Sequence, residues 1–170
     1  MTSLSSTEII QIVDADNQPI DVQPRHEMRR LNLIHRACYI LVFNTRGELF
    51  LQKRTADKDV YPSCWDVAAG GVVLAGESYE AAATRELEEE LGVKDVICTP
   101  VFDQYFEDLG NRVWGRIFTC SHDGPFVLQK EEVAHGLFMA VDKILTLGES
   151  EAFTPDGIAI LRRIHDSSAA

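Results

Sequence analysis

The chain is short of positive charge. Its 16 Lys and Arg stand against 27 Asp and Glu, a formal net charge of −11, so it lacks the broad cationic surface that neutralises phosphates along DNA or RNA. Nucleic-acid polymers are set aside as partners, whereas small anionic ligands are not. A long apolar run is also missing. The stretch from Val67 to Gly76 is broken by Gly70, Gly71 and Gly76 and is about half the length a membrane span needs, so no membrane crossing is expected. Residues Met1 to Ile10 carry neither a basic n-region nor an apolar h-region, which removes the secretory reading and points to the cytoplasm. The cysteines, Cys38, Cys64, Cys98 and Cys120, form no C-x-x-C pair. Neither a zinc knuckle nor a redox dithiol follows from that spacing, and free thiols are expected. No period of about 20 to 50 residues recurs.

What is present is ordinary for a globular protein: 45% hydrophobic and 25% charged residues over a length of 170. That length suits a single domain, 1–170, burying roughly 68–70% of its unfolded surface. An N-terminal hairpin is expected over about residues 8–30, with strands Ile9 to Val13 and Ile20 to Val22 around an Asp/Asn-rich turn. The core, about residues 33–166, opens with a central strand, Ala37 to Phe43. A turn at Asn44 to Gly47 leads to a half-exposed strand, Glu48 to Arg54. Further strands are expected at Val96 to Phe106, Arg112 to Cys120 and Leu137 to Val141. A last helix has Thr154 as N-cap and Pro155 at its first position, with Ile158, Leu161 and Ile164 facing inward. Ser167 to Ala170 should fray. This mixed order predicts an α+β fold with a mixed sheet.

The clearest helix, Ser78 to Leu91, has Ser78 as N-cap and Gly92 as its stop, with Ala83, Thr84, Leu87 and Leu91 as its core face. It contains a local conflict. Glu86, Glu89 and Glu90 stand at i, i+3 and i+4, so their carboxylates share a face and repel. Glu89 and Glu90 also lie in the last turn, where the helix dipole favours cations. A broken local rule without local compensation suggests a functional site, and a divalent cation is the natural remedy. All-oxygen donors favour Mg²⁺, with Mn²⁺ as the alternative. A solvated acidic face, neutralised by Arg85 and Lys94, is the competing reading.

The longer spacing narrows the choice. Gly71, Glu77, Arg85, Glu86, Leu87, Glu89, Glu90, Gly92 and Val93 follow G-x5-E-x7-R-E-U-x-E-E-x-G-U, where U is a bulky aliphatic residue. A chance match in a chain of this length is on the order of 10⁻⁷ at average residue usage. The segment resembles a complete Nudix box. The resemblance implies an α/β/α sandwich with a loop-helix-loop catalytic motif and hydrolysis of a diphosphate linkage in a small nucleoside-diphosphate or other organic diphosphate. It further implies that Glu86, Glu89 and Glu90, with the main-chain carbonyl of Gly70, hold Mg²⁺, and that Glu77 and Arg85 form a supporting ion pair. Glu89 is the expected base, with Glu131 or Glu132, outside the box, as alternatives.

Upstream, His35-Arg36-Ala37, Gln52-Lys53-Arg54, Lys58 and Tyr61-Pro62 resemble the matching segment of type 1 isopentenyl diphosphate isomerases. That likeness implies that Arg54 and Lys58 contact a substrate diphosphate, and that His35 matches a metal-ligand position. An Arg and a Lys so spaced could converge on one phosphate group. The isomerase Cys-Gly-His, however, is here Gly70-Gly71-Val72, so its catalytic thiol and neighbouring imidazole are absent. Hydrolysis is therefore preferred. A ligand-sensing domain and isomerase-like activity are the alternatives. Selectivity is expected in the loops Glu107 to Arg112 and His122 to Glu132, Trp114 is a candidate pocket residue, and the N-terminal hairpin offers an edge to a homodimer.

Overall fold

Strands and helices alternate along residues 4–170, the part of the chain that the computed structural model describes. A 3-10 turn, Leu4–Thr7, leads into β1 (Ile9–Val13), β2 (Pro19–Pro24) and α1 (Arg25–Arg30). Next come β3 (His35–Phe43), β4 (Leu49–Arg54), β5 (Trp65–Asp66) and β6 (Ala69–Val72). After α2 (Tyr79–Leu91) follow β7 (Thr99–Glu107), β8 (Arg112–Ser121) and β9 (Val133–Met139). Two helices, α3 (Val141–Leu147) and α4 (Pro155–Ser168), complete the order.

The sheet is mixed and β3 is its hub. β3 runs parallel to β8 from His35↔Val113 to Phe43↔Ser121, and antiparallel to β6 from Ala37↔Val72 to Ile40↔Ala69. β7 extends the sheet beyond β8. β4 meets β3 only at the hairpin pair Phe43↔Leu49 and carries β5 and β9, so the two halves splay apart below that turn. The splay opens the space in which the candidate site lies.

Alternation along β3 divides the core. Cys38, Ile40 and Val42 face α2 and pack with Leu87, Leu91 and Phe118. Leu41, with partly buried Tyr39 and Phe43, faces the other way onto Ile144, Ile160 and Leu161 of α3 and α4. A strand covered on both faces reads as a continuous apolar run, as β3 does. The result is the expected α/β/α sandwich.

Several boundaries differ from expectation for local reasons. β4 is buried rather than half exposed, with Leu49 and Leu51 at 0%, because helices cover one face while Phe126 and Phe138 cover Phe50 on the other. The last strand is β9, and Val141 begins α3 instead of ending a strand. The hairpin ends at Pro24 and residues 25–30 are helical, so the N-terminal unit is a hairpin plus a helix. Ser78 caps α2, its hydroxyl accepting from the Ala81 N–H at 3.1 Å, and Gly92 ends it at φ 67°. Thr84 is exposed, and its place on the core face is taken by Ala82. Thr154 occupies the N-cap position of α4 without capping it. At the C-terminus α4 continues through Ser168, where the Ser167 and Ser168 hydroxyls donate to carbonyls one turn back, so Ser167 and Ser168, expected to fray, are helical. The four cysteines are free thiols.

These placements rank two substitutions in α2. Leu87→Ala should cost about 2–5 kcal/mol, because Leu87 is 1% exposed in the core. Ser78→Ala should cost about 1 kcal/mol, the value of one cap. Urea denaturation of both variants measures the order.

Candidate active site

The closest approach at any glycine is where β6 pairs with β3. Gly70 has φ 149°, and a Cβ there would lie 2.0 Å from the Cys38 carbonyl oxygen. At Gly71 a Cβ would lie 2.5 Å from Glu86 Oε1. Both glycines are required by close approach, one to a neighbouring strand and one to a carboxylate.

Above them α2 presents its acids. Glu90 is 3% exposed. Its Oε2 accepts from Gln52 Nε2 and from the Gly70 N–H, both at 3.2 Å. Glu86 lies beside it, its Oε1 accepting from Arg85 at 2.7 Å. Burial, reinforced by the charge of Glu90, pushes the Glu86 carboxyl up to about 7. Burial raises Glu90 as well, against the opposing charge of Lys58. Glu89 is half exposed, and its carboxylate meets the same Arg85 nitrogen at 3.3 Å. Arg85 also clamps Glu77 through two contacts of 2.8 and 3.0 Å and donates to the Val72 carbonyl. Glu77 in turn accepts the Leu74 N–H at 3.0 Å, so loop and helix are locked together. Among the described residues no three His, Cys, Asp or Glu side chains converge closely enough to hold a metal ion as they stand; Arg85 lies against Glu86 and Glu89 together.

Across the two glycines lies a pocket that opens to solvent. One wall is cationic: Arg25, Arg29, Arg54 and Lys58. Lys58 pairs with Glu132, and burial together with Arg54 lowers its pKa. Arg54 contacts Asp66 at 3.3 Å and the Val60 carbonyl at 2.9 Å. Arg25 and Arg29 share Asp59, at 3.0 and 3.2 Å. His35 lines the same wall, 1% exposed, its Nδ1 donating to the Leu33 carbonyl at 3.1 Å. Burial and the charge of Arg29 depress it to about 3, which keeps it neutral. The lining also includes Tyr39, Asp66, Thr154 and Asp156, with Asp66 in contact with Arg54.

Of the residues expected from the sequence, Glu77, Arg85, Glu86, Glu89 and Glu90 lie in one loop-helix unit, while Arg54 and Lys58, expected to contact a diphosphate, and His35, matched to a metal-ligand position, line the adjoining pocket. Glu132 reaches the site through Lys58, whereas Glu131 is exposed on the surface. Trp114 does not line the pocket; it packs against Tyr105, and its Nε1 donates to the Ala15 carbonyl at 3.2 Å. The loop after β7 contributes Asn111 to the pocket wall, and Asp108 of that loop accepts the Tyr61 hydroxyl at 2.6 Å. The loop before β9 folds onto α2, the Gln129 N–H donating to the Glu90 carbonyl at 2.9 Å. Arg25, Arg29, Gln52, Asp66 and Asp156 were missed. The i,i+4 spacing of Arg25 and Arg29 was a usable signal for a cationic helix face. Nothing local marks Asp66 or Asp156.

An acidic loop-helix-loop laid over a mixed sheet, inside an α/β/α sandwich, defines the class of protein. A NUDIX domain model matches residues 33–160, and the chain belongs to the Nudix family. It is 42% identical to PA4841 of Pseudomonas aeruginosa, named an uncharacterized Nudix hydrolase, over 96% of each chain. It is 41% identical to the similarly named YfcD of Escherichia coli, over 93% of this chain and 87% of that one. Among solved structures it resembles DR0079 of Deinococcus radiodurans, with a TM-score of 0.80 at 23% identity over 92% of this chain and 98% of that one. A MutT protein of Methanosarcina mazei shares the fold with a TM-score of 0.71 at 22% identity, over 81% and 96%.

The acidic pair makes the metal-free protein sensitive to alkali. A carboxyl whose folded pKa is raised contributes stability that is full below its unfolded pKa near 4.5 and is lost as pH rises through about 7. Between about pH 5 and pH 8 the wild type should lose on the order of 2 kcal/mol more than Glu86→Gln. Denaturant titrations in the presence of a chelator measure the difference.

Proposed function

We propose that the protein is a divalent-cation-dependent hydrolase that cleaves a diphosphate linkage in a small organic diphosphate, nucleoside-bearing or not, in a reducing cytoplasm. The observation that carries this reading is the burial of two mutually repelling carboxylates, Glu86 and Glu90, the latter within reach of the charges of Lys58 and Arg54. Buried charge of one sign calls for a counter-charge, and Arg85 reaches Glu77, Glu86 and Glu89 but makes no contact with Glu90.

The donor set fits Mg²⁺ or Mn²⁺. Every candidate ligand is an oxygen: the carboxylates of Glu86, Glu89 and Glu90, with the Gly70 main-chain carbonyl. Glu89 is half exposed and free to turn from Arg85 toward its neighbours. When bound, the cation supplies Lewis acidity to the diphosphate and to the attacking water. The chain supplies the rest. Arg54 and Lys58 bind the diphosphate from the cationic wall, Arg54 by its planar fork and Lys58 as a point charge. Arg85 and Glu77 hold the loop against the helix, so the carboxylates keep their spacing. Glu89 is the proposed proton acceptor at the helix end, with Glu132, beside Lys58, as the alternative base. Neutral His35 shapes the pocket wall.

Isomerase-like activity is disfavoured because glycine stands where the acid thiol would be. The thiol lining this pocket, Cys38, is 1% exposed, and burial pushes its pKa up. A ligand sensor would have no use for the complete carboxylate set. The relatives' name, Nudix hydrolase, supports turnover.

The decisive comparison is Mg²⁺-dependent phosphate and nucleotide release by wild type and Glu90→Gln. Dinucleoside polyphosphates, nucleotide sugars, ADP-ribose, NADH, coenzyme A and isopentenyl diphosphate form the panel. Turnover of at least one compound, reduced about 10²-fold or more in the variant, is expected. Absence of turnover, with both proteins binding a compound equally, would overturn the reading in favour of a sensor.

A further inference from the structure

Three buried side-chain polar atoms among the described residues have no hydrogen-bond partner: Gln52 Oε1, Arg54 Nε and Thr154 Oγ1. Two of them belong to one pocket. Arg54 and Thr154 line the pocket, and Gln52 is the residue that donates to Glu90 beside it. Buried groups left unpaired are costly, and a folded protein tolerates them where a ligand completes them.

Thr154 is the most telling of them. It is 1% exposed, it stands at the N-cap position of α4, and it caps nothing. Its hydroxyl is given room by Gly157, where a Cβ would lie 2.4 Å from Oγ1 and 3.1 Å from Asp66 Oδ1. Two carboxylates flank it. Asp156 accepts the Tyr39 hydroxyl at 2.7 Å and the Gly157 N–H at 2.9 Å. Asp66 accepts from Arg54 at 3.3 Å and from the Ala68 N–H at 3.2 Å. Each carboxylate oxygen thus has one partner and retains a lone pair. We infer that Asp66, Thr154 and Asp156 form a subsite for a hydroxyl-rich group, a sugar or other polyol, carried by the diphosphate that the cationic wall holds.

The chemistry of the pocket selects this class over its rivals. An alkyl or isoprenoid group would strip water from two carboxylates and a hydroxyl and return no hydrogen bonds. An ammonium group would suit the carboxylates but would share the pocket with Arg29, Arg54 and Lys58. Neutral hydroxyls donate to the carboxylates and accept from Thr154 without either penalty. The subsite rests on the hydrolase reading only in taking its ligand to be a diphosphate.

The test uses two probes with one skeleton, glucose 6-diphosphate and cyclohexylmethyl diphosphate, which differ in the ring oxygen and hydroxyls. Calorimetry with Mg²⁺ measures their binding to wild type, Thr154→Val, Thr154→Ser and Asp156→Asn, with thermal melting as the folding control. Wild type should favour the sugar at least about tenfold. Thr154→Val and Asp156→Asn should weaken the sugar alone, bringing the two probes within about threefold, while Thr154→Ser keeps the preference. Thr154→Val should melt no lower than wild type, because it removes an orphaned hydroxyl. Equal binding of both probes by wild type, or equal losses for both in the variants, would overturn the subsite. A sugar preference retained in binding without hydrolysis of either probe would sustain the subsite and count against the hydrolase reading.

Discussion

The structure depends on one close approach: β6 passes β3 so tightly that no side chain fits at Gly70, while Gly71 leaves space for a carboxylate. From that crossing follow the position of α2 and the burial of Glu86 and Glu90, the latter tied to the Gly70 N–H at 3.2 Å. Two carboxyls held together away from water are an electrostatic debt, visible in the raised affinity of Glu86 for a proton. Arg85 meets part of it by bridging Glu77, Glu86 and Glu89, and a divalent cation is the natural complement to the remainder.

The sheet serves as a partition with an opening. Its α2 face carries the acids, and its other face packs against α3 and α4. Because β4 leaves β3 after a single pair at the hairpin turn, the halves part and the pocket forms between them. Residues from both layers therefore meet: the glycines under α2, the cations of α1 and β4, and Thr154 and Asp156 at the start of α4. The lining holds both signs of charge, positive at Arg25, Arg29, Arg54 and Lys58 and negative at Asp66 and Asp156, with Arg54 and Asp66 in contact. Such a lining suits a ligand with an anionic group and hydrogen-bond donors.

Arg54, Lys58 and His35, the residues that carry the sequence resemblance to isomerases, line one pocket. A neutral, buried His35 hydrogen-bonded to the Leu33 carbonyl is a wall residue. Gly70 and Gly71, held by close approach to β3 and to Glu86, leave no thiol there.

Elements with local signatures were legible in the sequence. The α2 boundaries follow from Ser78 and Gly92, β3 from its unbroken apolar run, and the acidic motif from fixed spacings within one loop and one helix. Such features are set by neighbours in the chain: a cap, a left-handed stop, repulsion one turn apart. The misses were of another kind. β4 looked half exposed because its outward partners, Phe126 and Phe138, come from distant segments. Thr154 reads as a helix cap because sequence cannot tell a hydroxyl that accepts a helix N–H from one left without a partner. Asp66 and Asp156, 90 residues apart, meet only when β5 and α4 pack together. The sequence by itself determined the family, the acidic helix and the central strand. Tertiary structure decided which polar groups were buried together, because burial and long-range contact arise only when the layers close.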